Sequence, residues 1–170
     1  MKNGEKSVEF KKILVPIDFS SYSDEAVNYA AIISKKFEAE FILMHVIESL
    51  PYTVTDTLRL IEHRRALETI AKSLLDNLSK KLRETKVAVR TFLVSGAAYH
   101  EILKKSQREK VDLIVMGTHG RTGLEHLLLG SVAEKVVRLS SCPVLTVRLP
   151  RTKVKIKPSN RLKKRGVTLY

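Results

Sequence analysis

The sequence predicts an α/β fold, an open five-stranded parallel sheet of order 3-2-1-4-5 with helices on both faces. Three observations carry this: five short β-branched runs, a helical pattern in every interval between them, and two runs, LVPI and LIVM, that are apolar at nearly every position. Continuous apolarity, as opposed to alternation, marks strands covered on both faces, as in a parallel sheet. Strands joined by right-handed helical crossovers then wind into an open α/β layer.

The first strand is read at residues 11–17 (KKILVPI), ending at Asp18, and the others at 41–46 (FILMHV), 87–94, 111–116 and 143–147. A first helix over 24–37 places Ala26, Ala30, Ile33 and Phe37 on one side, with Ser20 or Ser21 as its cap. A long second helix over 55–82 repeats Ile61, Leu67, Ile70, Leu74, Leu78 and Leu82, and shorter ones are read at 99–108 and 132–139. Ser131 and Glu134 have the S-x-x-E spacing of a capping box, which makes Ser131 the expected cap of the last helix.

At 170 residues the chain has the length of one domain with a real core. Its 44% hydrophobic and 29% charged residues suit a globular protein, and it has no apolar run of membrane-spanning length. The charged start MKNGEKSVEFKK lacks the apolar centre of a signal peptide, and a cytoplasmic location is expected. The lone Cys142 has no partner for an internal disulfide and is read as a packed structural thiol. The net charge of +13 is unevenly spread: residues 148–170 hold 9 of the 31 Lys and Arg and none of the 18 Asp and Glu. The organisation expected is an extension at 1–10, a domain at 11–148 and a basic extension at 149–170.

Residues 111–131 (VDLIVMGTHGRTGLEHLLLGS) carry the chemistry. An apolar strand stops at Gly117, Gly120 follows, and Gly130-Ser131 opens a helix. Glycines let backbone N–H groups approach an anion, and a helix that begins beside them adds unpaired N–H groups and a positive dipole end. With order 3-2-1-4-5, the loops after strands 1 and 4 meet where strand order reverses, the usual ligand position of such sheets. Asp18 begins one of these loops and the glycine run forms the other, so a carboxylate suited to ribose hydroxyls faces a cradle suited to phosphates. Neither G-x-x-x-x-G-K-[ST] nor G-x-G-x-x-G is present. His45 is read as a satisfied core or rim histidine, and His63, His100 and His126 lack metal-ligand spacing.

Gly117-x2-Gly120-x9-Gly130-Ser131 resembles the G-2x-G-9x-G-[ST] motif of the ATP-binding branch of the universal stress protein family. KKILVPIDFS, FILMHV, VDLIVMGTHGR, LLGSVAEKVV and CPVLTV extend the resemblance over about residues 10–148. The resemblance implies a Rossmann-like, adenine nucleotide alpha hydrolase-like domain that binds ATP, ADP or AMP. It implies nucleotide contacts at Pro16, Ile17, Asp18, Val46, Met116, Gly117, His119, Gly120, Arg121, Gly130, Ser131 and Val132. Asp18 would meet the ribose, the main chain near Val46 the adenine edge, Ile17 the base, and the glycines with Ser131 the phosphates. Arg121 suits a phosphate oxygen, and His119 is read either as a phosphate contact or as a solvent-facing loop residue. A Mg2+ or Mn2+ ion would arrive with the phosphates.

No base, water-positioning residue or Walker-type lysine is evident, so the expectation is a nucleotide-dependent switch or sensor in a stress response and not an enzyme; slow ATP hydrolysis is the alternative. Strand 5 should be a sheet edge, and the resemblance implies a homodimer through residues 143–147. In the basic extension, Lys153 to Lys157 alternates like a strand and RLKKR (161–165) suits phosphate backbones or anionic lipid heads. Three roles stay open for it: a solvated extension, packing on the dimer, or contact with nucleic acid, membrane or another acidic partner.

Overall fold

In the computed structural model, which describes residues 9–48, 57–120 and 129–149 (57–60 as backbone only), strands and helices alternate in sequence. They are β1 (Lys12–Ile17), α1 (Ser21–Phe37), β2 (Glu40–Ile47), α2 (Thr57–Glu84), β3 (Val89–Ser95), α3 (Ala98–Glu109), β4 (Leu113–Gly117), α4 (Ser131–Leu139) and β5 (Val144–Val147). All pairings are parallel and the sheet runs β3-β2-β1-β4-β5, the order read from the sequence. Among the described residues no helix is long and apolar enough to cross a membrane.

The unbroken apolarity of the central strands has the meaning expected of it, since β1, β2 and β4 are buried along nearly their whole length. Successive residues point to opposite faces. Ile13, Val15, Phe41, Leu43 and Val115 join Ala26, Ala30 and Leu75 in a core under α1 and α2. Leu14, Ile42, Met44 and Ile114 join Ile102, Ala133 and Val136 in a second core under α3 and α4. Each such large residue, fully withdrawn from water, contributes about 1.5–3 kcal/mol. The partly buried Cys142 packs against the second core.

Helix and strand ends are set by local polar chemistry. Ser20 is the cap of α1, accepting from Ser23 N at 3.3 Å, and Glu38 ends the helix in the left-handed conformation. The strand read at 111–116 begins only at Leu113, because Asp112 Oδ2 accepts from Lys11 N and Lys12 N, both at 2.8 Å, and so ties the turn to β1.

Two expectations are corrected. The helical stripe read on α2 does not form one buried face: Leu82 is buried and Leu78 packs on the core, whereas Ile61, Leu67, Ile70 and Leu74 are 46%, 39%, 58% and 42% exposed. The seam that meets the sheet runs through Ala71, Leu75, Ser79 and Leu82, where small Ala and Ser let the helix lie close. The capping box at Ser131 is absent. α4 begins one residue early, and its cap is Gly130 in an extended conformation, which offers no hydroxyl or carboxylate to the first N–H groups; Glu134 instead pairs with Arg138 at 3.0 Å. The start of the second helix read at 55–56, and the extensions at 1–8 and 150–170 with their KVKIK and RLKKR segments, lie outside the described residues.

Candidate functional site

At the switch point of the sheet β1 lacks one backbone donor toward β4. Asp112 N donates to Lys12 O, so even-numbered β1 residues turn their backbone polar atoms toward β4. Residue 16 shares that parity, and Pro16 has no N–H to give. Register with β4 covers Ile13 and Leu14, while register with β2 continues to Ile17 opposite His45. Beyond Leu14 the ladder between the two central strands does not continue. A cavity of about 730 Å³ lies above the gap.

Eleven of the twelve residues expected at a ligand line this one cavity: Pro16, Ile17, Asp18, Val46, Met116, Gly117, His119, Gly120, Gly130, Ser131 and Val132. Arg121 lies outside the described residues. Val46 sits one residue past the last β1–β2 pair. Glu40 N donates to Lys11 O just before β1 and Phe41 N to Ala88 O on the other side, so Val46, with the parity of Glu40, turns its backbone polar atoms toward the end of β1.

Asp18 is held by its own turn. Its Oδ1 accepts from Ser20 N at 3.0 Å and from Ser20 Oγ at 2.6 Å, and its Oδ2 points across the crevice toward Gly120. Phe19 between them adopts a left-handed φ of 63°, unfavourable for any residue with a Cβ. Its ring lies 4.6 Å from that of His45, which is 4% exposed and bonded through Nδ1 to Ile17 O at 2.7 Å. His45 thus has a hydrogen-bond partner at Nδ1, as the satisfied core or rim histidine read from the sequence would, and it also lines the cavity.

The three motif glycines do different things. A Cβ on Gly117 would meet both the carbonyl carbon and the Cβ of Tyr22 at 2.9 Å, so this glycine lets α1 pack against the end of β4. A Cβ on Gly120 would meet Asp18 Oδ2 at 2.6 Å. A Cβ on Gly130 has room, 3.4 Å from Thr118 O, and would stand 4.0 Å from Gly120 N. Thr118 organises the loop: its N donates to Val147 O at 2.9 Å and its O accepts from Gly130 N at 2.7 Å, pinning both ends of the glycine segment. With Gly130 as an extended cap bare of any capping group, the N-terminus of α4 at Ser131 and Val132 faces the cavity. Such an end favours an anion.

His119 is not a solvent-facing loop residue. It is 8% exposed, its ring 5.1 Å from that of Tyr22 and its Nδ1 3.0 Å from Thr118 Oγ1. One wall is apolar: Leu67, Ile70 and Leu74 of α2 line it, and Met44 and Ile102 of the second core line the cavity as well. Sequence reasoning missed this wall, although the surplus of large aliphatics on α2 beyond one core seam was its signal. Thr118 and Phe19 were missed as well; neither a hydroxyl inside a motif nor a left-handed aromatic has a sequence signature.

The titration shifts lie at the other end of the sheet. Glu109 hydrogen-bonds to Arg90, which holds its carboxyl below the usual range, while Glu109 and Glu40 together raise the Arg90 guanidinium. The crevice therefore stands apart from this surface ion cluster.

The sequence pattern of the universal stress protein family matches residues 9–148. The chain belongs to this family. It is 38% identical over 154 residues to the universal stress protein MJ0531 of Methanocaldococcus jannaschii, covering 89% of this chain and 88% of that protein. It is also 34% identical over 157 residues to universal stress protein MJ0577 of that organism, covering 84% of this chain and 97% of that protein. The solved MJ0577 structure matches with a TM-score of 0.78 at 35% identity, over 85% of this chain and 100% of that one. An Arabidopsis thaliana family protein with AMP bound has a TM-score of 0.59 over 87% of this chain and 97% of its own; at 19% identity the likeness is one of fold.

Proposed function

We propose that this family member binds an adenine nucleotide, ATP in the first place, and serves as a nucleotide-dependent switch in a stress response and not as a hydrolase. One observation carries the reading: Asp18 and the start of α4, whose Gly130 cap has no side-chain hydrogen bond, face the same cavity from two different loops, with Gly120 between them. The ribose lies at Asp18, the base between Ile17, Val46 and the apolar wall of α2, and the phosphates over Gly120, Gly130 and Ser131. The cavity volume of about 730 Å³ is within the range of small-ligand sites. A Mg2+ or Mn2+ ion comes with the phosphates. His119, anchored to Thr118 and Tyr22, shapes the pocket floor in this reading, and the nucleotide orders the loop after it for a protein partner to read.

Slow hydrolysis is the competing reading. Prolonged incubation of the purified protein with ATP, followed by nucleotide chromatography, separates the two, and turnover on the scale of minutes would overturn the switch. Substituting Gly130 by Val places bulk over Gly120 N and should abolish binding of labelled ATP in a folded protein. Unchanged affinity would reduce the motif to a turn. The reading extends to a homodimer through β5, supported by exposed Val137, Leu139 and Leu145 on and beside that edge strand. Light scattering on the purified protein tests it.

A further inference from the structure

His45 belongs to neither core cluster nor phosphate loop, yet it touches both neighbours of Asp18, the backbone of one and the ring of the other. On one side its Nδ1 lies 2.7 Å from Ile17 O. A carbonyl oxygen only accepts, so Nδ1 carries the hydrogen. On the other side its ring backs Phe19 at a centroid distance of 4.6 Å. Phe19 has a left-handed φ of 63°. For any residue with a Cβ that conformation costs about 1–2 kcal/mol and persists only when neighbours impose it. The turn at Phe19 is what brings Ser20 N and Oγ back onto Asp18 Oδ1, at 3.0 and 2.6 Å. His45 itself is 4% exposed and fixed by β2 opposite Ile17, so it is a rigid support.

We propose that His45 is a positioning residue which, by holding Ile17 and Phe19, aims the Asp18 carboxylate at the sugar hydroxyls and so makes the crevice selective for nucleotides that carry them. This rests on the nucleotide reading above. A mere packing role would weaken all ligands alike, whereas a positioning role acts only on ligands with hydroxyls for Asp18 to accept from.

The test compares the dissociation constants of ATP and 2′,3′-dideoxy-ATP by calorimetry on the full-length protein, with folding followed by circular dichroism. The unmodified protein should prefer ATP by at least about tenfold, the scale of a hydrogen bond to a charged group. His45→Leu keeps bulk but removes the donor, and should bring the two constants within about threefold of each other by weakening ATP alone. His45→Asn places an amide N–H where Nδ1 stood and should retain most of the preference. Phe19→Gly removes the ring that His45 backs, together with its packing at the margin of the first core, and should also narrow the ratio, which keeps the test valid if His45→Leu does not fold. An equal loss for both ligands in His45→Leu, an unchanged ratio in Phe19→Gly, or a loss in His45→Asn as complete as in His45→Leu would overturn the inference while leaving nucleotide binding intact. Failure of the unmodified protein to bind either ligand would overturn both.

Discussion

A methyl group on Gly120 would lie 2.6 Å from Asp18 Oδ2, closer than a carbon and a carboxylate oxygen can approach. The glycine of one loop and the acid of the other are thus a fitted pair across the crevice. Glycine serves here by the bulk it lacks and not as a source of unusual backbone angles. Gly120→Ala should displace the carboxylate, which Ser20 holds from the far side, and weaken ATP by about tenfold or more, the scale of one charged hydrogen bond. Unfolding by urea should change little, because only the tip of one carboxylate has to move. Calorimetry and urea titration of the same variant check both halves.

Gly117→Ala and Gly130→Ala should separate stability from binding. At Gly117 the obstacle is the backbone and Cβ of Tyr22 at 2.9 Å, so α1 must shift, at a cost of about 1–3 kcal/mol. At Gly130 the nearest atom is 3.4 Å away and the fold should hold within about 0.5 kcal/mol, while ATP affinity falls as the new methyl shields Gly120 N. A pair of variants with equal urea midpoints would refute the division of roles.

Ser20→Ala removes two things at once, the cap of α1 and the shorter of the two bonds that hold Asp18 Oδ1. Loss of the cap should lower stability by about 1 kcal/mol. Loss of the hydroxyl should also loosen the carboxylate, which Ser20 N still holds, so ATP binding weakens more than that of 2′,3′-dideoxy-ATP. Thermal melts with paired calorimetric titrations distinguish the two effects.

The Arg90 cluster should give a small, pH-dependent contribution of its own. Glu109 titrates below its ordinary range because Arg90 binds its ionised form in the folded protein. The stabilisation is therefore complete above the ordinary glutamate range and fades as pH falls through the lowered folded value. Arg90 is 43% exposed, so solvent screens the pair and Glu109→Gln should cost about 1 kcal/mol or less near neutral pH. Urea titrations should show that difference shrinking in acid; a difference that grows in acid would contradict the assignment.

The sheet order was legible because it depends on coarse properties, the unbroken apolar runs and the single chemistry-rich loop after β4. Asp18 and the glycine segment followed from that order, since topology alone brings their loops together. Finer features depend on which of two competing contacts wins. On α2, the Ala71–Leu75 seam wins the sheet over the bulkier Leu67 and Ile70, because a small residue permits closer approach. At α4, Gly130 takes the cap from Ser131, since Gly130 N is already committed to Thr118 O. His119 is buried by Tyr22, a partner far away in sequence. The left-handed Phe19 has its ring against His45, a partner far away in sequence, and a propensity-based reading would assign that conformation to Gly or Asn.

Pro16 has one further consequence. Its ring replaces an N–H, so at this position β1 has no backbone donor to offer β4 in any state of the protein.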